Sequence, residues 1–136
     1  MILLDTHVLV WMVASPEQLS RPAAREIRKA QQSGGCAIAS ISLWELAQLF
    51  EKGRLRSSGV LEASIGEIVE TVAVTVLEIT TDIAALTTMF PESYPKDPAD
   101  RLIGATAPAS GMTLITQDER ILASPVVRTV WQHPRR

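Results

Sequence analysis

Five acidic residues sit where the chain changes character: Asp5, Glu45, Asp97, Asp100 and Asp118. Asp5 interrupts the apolar run MILLDTHVLVWMVA, Glu45 lies in SISLWEL, Asp97 and Asp100 are three apart in DPADR, and Asp118 follows TLIT. Carboxylates brought within about 4–6 Å raise one another's pKa and destabilise a fold unless a cation or a proton intervenes. Hard oxygen ligands with no clustered His or Cys indicate Mg2+ or Mn2+ rather than zinc. His7 and His133 are too few and too scattered for a zinc site, and each reads as a surface or turn residue. An acid-held Mg2+ suits phosphate chemistry, because the ion activates water, neutralises phosphate charge and stabilises the leaving oxygen.

Each acid has a structural explanation when taken alone. Glu45 has the spacing of the return partner of a capping box begun at Ser42, and Asp97 that of an N-cap ahead of Pro98, each worth about 1 kcal/mol. Asp5 is harder to explain this way, because an unpaired charge at the end of a buried strand is costly. Jointly the five favour a site over five separate caps.

The elements that must position these acids follow from hydrophobic periodicity. Ile2 to Leu4 forms a short buried strand, with a turn into a helix where Val8 to Val13 continues the apolar run. Ser20-Arg21-Pro22 opens a helical pattern through Ala30, which Gly34-Gly35 stops. Cys36 to Ala39 has strand length, and the helix opened at Ser42 reaches Lys52-Gly53. A polar loop, Arg54 to Gly59, leads to a helical stretch from Val60 to about Val72. Val74 to Ile79 is a third strand, and Thr80-Thr81 caps a helix to about Met89. The two prolines of Phe90 to Lys96 make that segment a loop. A helix then starts at Pro98 and runs toward Gly111, and Pro108 is expected to kink or shorten its last turn. Thr113 to Thr116 is a fourth strand and Val126 to Trp131 a fifth.

Strands alternating with helices imply an α/β fold, a three-layer α/β/α domain with a mainly parallel four- to five-stranded sheet, spanning 1–136 as one unit. In such a sheet the strand C-termini and helix N-termini share one edge, where ligands bind at the switch in strand order. All five acids fall on that edge.

Composition is consistent with this reading. The 136 residues are 46% hydrophobic and 21% charged, which excludes a disordered chain, and no stretch approaches the roughly 18 uncharged residues of a membrane span. The apolar N-terminus lacks a basic leading segment and carries Asp5 and His7, unlike a signal peptide. One cysteine, Cys36, forms no internal disulfide and suits the reducing cytoplasm. Aromatics are only 4%, so an aromatic stacking platform for nucleic acid is not expected. Net charge is −2, yet without the five candidate acids ten Asp and Glu face 13 Lys and Arg, an excess of three positive charges compatible with a phosphate polymer. Ten of those 13 are Arg, the better bidentate phosphate ligand.

The segments MILLDTHVLVW, SISLWELAQLFEKGRL, DPADRLIGATA and TLITQDERIL resemble, in order and spacing over nearly the whole chain, the four acidic motifs of PIN-domain ribonucleases, specifically VapC-type toxins of toxin–antitoxin modules. The resemblance implies a compact α/β/α domain and Mg2+- or Mn2+-dependent endonucleolytic cleavage of RNA. Carried over by position, Asp5, Glu45, Asp100 and Asp118 are the catalytic acids. Metal binding falls mainly to Asp5 and Asp100, with Asp118 and Glu45 completing the site or orienting water. Asp97 is an extra acid that serves as a cap or supports the site, and Thr6 and Thr116 flank site acids as hydrogen-bond partners. The resemblance also implies an antitoxin protein partner that places an Arg-bearing segment in the acidic pocket, and a homodimer. Pro108 and the C-terminal WQHPRR depart from the family pattern without touching an acidic motif.

Three other readings match parts of the pattern. A haloacid-dehalogenase-type phosphatase or phosphotransferase would place a second Asp two residues after the first, where His7 stands. A response-regulator receiver would need paired acids near its first strand and a late Lys, which the sequence lacks. A catalytically silent module of the same fold remains the non-enzymatic alternative.

Overall fold

The computed structural model describes residues 1–56 and 59–132. Ser57 and Ser58 of the expected polar loop, and the last four residues of WQHPRR with His133 among them, lie outside the described residues.

Five strands form one sheet: β1 (Ile2–Leu4), β2 (Cys36–Ala39), β3 (Thr75–Leu77), β4 (Leu114–Ile115) and β5 (Thr129–Val130). All neighbours pair parallel, in the order β3-β2-β1-β4-β5. The helices are α1 (Thr6–Ala14), α2 (Arg21–Gln31), α3 (Ile41–Glu51), α4 (Leu61–Val72), α5 (Thr81–Leu86), α6 (Pro98–Ala109) and α7 (Glu119–Leu122), with 3-10 turns at Pro16–Gln18 and Thr87–Met89.

Successive strand residues point to opposite faces of the sheet, and the core divides accordingly. Leu4, Ile38 and Ile115 face one way, onto Val8 and Leu9 of α1, Ile27 of α2 and Leu46 of α3. Leu3, Ala37 and Leu114 face the other way, onto Ile103 and Ala107 of α6 and Ile121 of α7. Helices on both faces give the three-layer α/β/α arrangement expected from the alternating pattern.

Several boundaries depart from the sequence reading. The fifth strand shrinks to Thr129–Val130, and the third loses both ends. The four-residue helix α7 was not anticipated; Asp118 caps it by accepting from the Arg120 and Ile121 amides. The last turn of α6 survives Pro108, and the helix continues to Ala109. A proline so near the C-terminus removes one intrahelical bond, and its ring is exposed, so the expected early end does not occur. The expected capping box is absent: Ser40 is the cap residue of α3, Ser42 lies inside the helix, and both Ser42 and Glu45 turn toward Thr6.

From β1 the chain proceeds to β2 and β3 on one side, whereas β4 and β5 lie on the other, so strand order reverses between β1 and β4. The crevice beyond their C-terminal ends is where a doubly wound sheet binds ligands. Leu4 pairs with Ile115, so the next residues, Asp5 and Thr116, emerge side by side at that crevice.

Candidate functional site

Asp5 is fixed from three directions. Its amide donates to the Ile115 carbonyl (3.0 Å), one carboxylate oxygen caps α1 by accepting from the Thr6 amide (2.8 Å), and the other accepts from the Thr116 hydroxyl (2.7 Å). Burial pushes its carboxyl above the usual range, against the hydrogen bonds from Thr116 and Thr6 that favour the ionised form. Thr116, itself fully buried, also accepts from the Asp118 amide (3.1 Å) and so ties two of the acids to the end of β4.

Thr6 plays the matching part on the other side. Its hydroxyl donates to Glu45 Oε1 (2.5 Å). With its only proton so used, it accepts from Ser42 Oγ at 2.7 Å. Glu45 is thereby turned toward the crevice from α3, and burial, then the negative charges of Asp5 and Asp97, raise its pKa.

The third contributor is the start of α6. Asp97 is the N-cap, accepting from the Ala99 amide at 2.8 Å, and Pro98 occupies the first helical turn, as the sequence indicates. Asp100, in the first turn, is pushed up to about 7, first by burial and then by the negative charges of Asp5, Asp97, Asp118 and Glu45. All five acids and His7 line one cleft of about 400 Å³. The exposed His7 lies with its ring 6.1 Å from that of Trp11 and counters the charge of Asp5 and Glu45.

Side chains that the sequence reading did not single out aim this helix. The Arg101 guanidinium donates to the carbonyls of Pro95 (3.0 Å) and Thr87 (3.1 Å) and lies over the Phe90 ring. Phe90 stacks on Tyr94, whose hydroxyl donates to the Asp100 carbonyl at 2.9 Å. Gly104, one turn on, leaves the space the tyrosine fills: a Cβ there would stand 2.0 Å from the Tyr94 oxygen. The only sequence signal for this clamp was a glycine inside an otherwise regular helical pattern, for which close packing is one physical reason.

Among the described residues, no three His, Cys, Asp or Glu side chains are gathered as a group that could hold a metal ion. The carboxylates line an open cleft instead of forming a closed cage. That donor set fits Mg2+ or Mn2+, which take hard oxygen ligands, and Mg2+ usually keeps several waters and binds through one or two carboxylates together with substrate phosphate.

The PIN domain family model matches residues 2–125. The chain is 39% identical over 132 residues to Ribonuclease VapC22 of Mycobacterium tuberculosis (strain ATCC 25618 / H37Rv), an alignment covering 96% of this chain and 98% of that one. Among solved structures, the fold is similar to a chain of VapBC2 from Rickettsia felis bound to a DNA fragment from their promoter, with TM-score 0.72, 16% identity, and 97% and 100% of the two chains covered. It is similar too to a chain of DNA-bound VapBC from Salmonella typhimurium, with TM-score 0.67, 22% identity, and 96% and 98% covered.

Proposed function

The chain belongs to the PIN-domain family, and on that premise we propose that it is a VapC-type toxin: an endoribonuclease that hydrolyses RNA phosphodiester bonds with Mg2+ or Mn2+ and acts in the cytoplasm as one unit over 1–136. The observation that carries this reading is the arrival of Asp5, Glu45, Asp100 and Asp118 from four separate segments in a single cleft. Such a concentration of partly desolvated acids destabilises the fold and is retained where a cation is to be held.

Asp5 and Asp100 are the principal metal ligands in this reading, with Asp118 beside them, and a bound cation would neutralise phosphate charge and activate water. Asp5 is held ready by Thr116 and the Thr6 amide, so it need not reorganise when substrate arrives. Glu45, oriented by Thr6, lines the cleft and would orient the attacking water by accepting a hydrogen bond from it. Asp97 fixes the start of α6 and so the position of Asp100.

An antitoxin protein and a homodimer belong to the same proposal. The relatives similar in fold are named as VapBC assemblies, and a guanidinium entering the cleft would meet several carboxylates in the bidentate geometry Arg favours. Co-purification with the product of the adjacent gene tests the partner.

The activity is tested by incubating the purified protein with tRNA and rRNA in Mg2+, with and without EDTA. The expected result is endonucleolytic cleavage that EDTA abolishes; no metal-dependent cleavage of either RNA would remove the reading.

A further inference from the structure

A second cavity of about 250 Å³ adjoins the acidic cleft and shares His7, Glu45 and Asp97 with it. Its far wall differs in chemistry. Trp44, Gln48 and Lys52 recur every four residues along one face of α3 and its end, followed by Arg54. Trp44 is 57% exposed, the only exposed Trp, Tyr or Phe among the described residues. Among the described residues the other Trp, Tyr and Phe rings are at least half-covered, Trp11 against Trp131, Phe90 against Tyr94 and Phe50 packed on the core. Lys52 and Arg54 are exposed, and among the described residues neither is within ion-pair distance of a carboxylate.

The trough therefore runs from negative to positive. At about 1.5 Å rise per residue, Lys52 lies about 10 Å along the helix from Glu45, with Trp44 at the acidic end of that interval. A polymer with a reacting phosphate in the cleft and further phosphates leading away would meet carboxylates and cation first, then an indole face, then two exposed basic groups. That order matches a nucleotide strand, whose bases stack on aromatic faces while its backbone is tracked by Lys and Arg. A duplex would not offer an unstacked base to a lone indole, so the matching form is single-stranded.

We infer that the Trp44–Lys52–Arg54 face is a nucleotide subsite for the substrate: one base of a single-stranded RNA segment beside the scissile bond stacks on Trp44, and the adjoining phosphates pair with Lys52 and Arg54. This rests on the nuclease reading and adds to it the residues that hold the strand and the side on which it leaves the cleft.

Binding is tested apart from cleavage, with fluorescein-labelled single-stranded RNA of mixed sequence and the full chain carrying Asp5→Asn and Asp100→Asn, in which cleavage and part of the acid repulsion are absent. In that background Trp44→Ala is expected to weaken binding about 5- to 150-fold, and Trp44→Phe to restore most of it. Lys52→Gln with Arg54→Gln is expected to reduce the slope of log affinity against log salt by about 1.4, the value for two phosphate contacts on a single strand. Because Trp44 and both basic residues are exposed, unaltered thermal unfolding confirms that the fold is intact in each variant. RNA affinity within about twofold of the parent for Trp44→Ala would overturn the subsite, since a stacked base is worth more than that. So would loss of antitoxin binding with RNA affinity retained. Cleavage by the unaltered chain separates the two readings: cleavage without any effect at Trp44 overturns only the subsite, whereas neither cleavage nor RNA binding overturns both.

Discussion

Asp5 reaches the cleft from a strand end with both carboxylate oxygens engaged, whereas Asp100 reaches it from the first turn of a helix with neither oxygen hydrogen-bonded among the described residues. The sheet-built corner is rigid and satisfied: Thr116 and the Thr6 amide stabilise a negative charge that burial opposes. The helix-built corner is aimed by its backbone, through Tyr94 and Arg101, while its carboxyl is left exposed to the repulsion of four other acids. Two carboxylates in one cleft are thus prepared differently, one for position and the other for a response to the charge that arrives.

The largest expected effect breaks the comparison at its chemistry. Asp5→Asn and Asp100→Asn are each expected to reduce RNA cleavage at least about 100-fold, the order of loss for removing a preorganised charged group from an active site, measured as initial rates in Mg2+. Stability should separate them. Native Asp100 has a pKa of about 7 against an ordinary value of 3.8, so the folded state binds the proton more tightly and stability falls as pH rises from about 4 to 7. The full shift would be worth about 4 kcal/mol, and partial exposure and screening reduce this to about 1–2 kcal/mol. Asp100→Asn should therefore raise the metal-free Tm at pH 8 by about 3–8 °C, flatten the pH dependence, and lose the stabilisation by Mg2+. Asp5→Asn relieves a buried charge too, but it sacrifices one acceptor of two hydrogen bonds, so its gain should be smaller. Equal gains for the two variants in differential scanning calorimetry would erase the distinction between the corners.

A second break targets the clamp. Gly104→Ala puts a methyl group 2.0 Å from the buried Tyr94 hydroxyl, an overpacking expected to cost about 1–3 kcal/mol in urea denaturation. Displacing Tyr94 also releases the Asp100 carbonyl, so cleavage should fall further than a simple loss of folded protein explains. Wild-type specific activity per folded molecule would show that the clamp stabilises the helix without aiming the acid.

The two corners were unequally legible in the sequence. The strand ends were readable because each acid terminates a short apolar run, and a parallel sheet delivers such ends to one edge. The acids of α6 were readable as residue types but not in their support. Arg101, Phe90 and Tyr94 act through a loop folding back onto a helix, a contact that no local period encodes. Ser42 and Glu45 show the opposite error, a local motif with correct spacing overridden by a distant partner. With α3 starting at Ile41, Ser42 is already helical, and its hydroxyl and the Glu45 carboxylate gain more from the Thr6 hydroxyl than from a cap. Asp118 is legible as a candidate acid, but not as the cap of α7, because a four-residue helix has too little periodicity to show in a sequence.

The smallest expected effect separates capping from chemistry within DPADR itself. Asp97 caps α6 through the Ala99 amide, a bond that an asparagine oxygen makes equally well, whereas alanine loses it at a cost of about 1 kcal/mol. If Asp97 acts through position alone, Asp97→Asn should leave stability within a few tenths of a kcal/mol of the parent and cleavage near its original rate. A modest rise in stability at pH 8 is also expected, because one of the charges that raises Asp100 is gone. The Asp97→Ala variant should be less stable than Asp97→Asn and should cleave more slowly through a less sharply defined helix start. A severe loss of cleavage in Asp97→Asn, with folding unchanged, would instead give Asp97 a charge-dependent part in catalysis. The helix corner would then contribute two chemically active carboxylates to the cleft, Asp97 and Asp100.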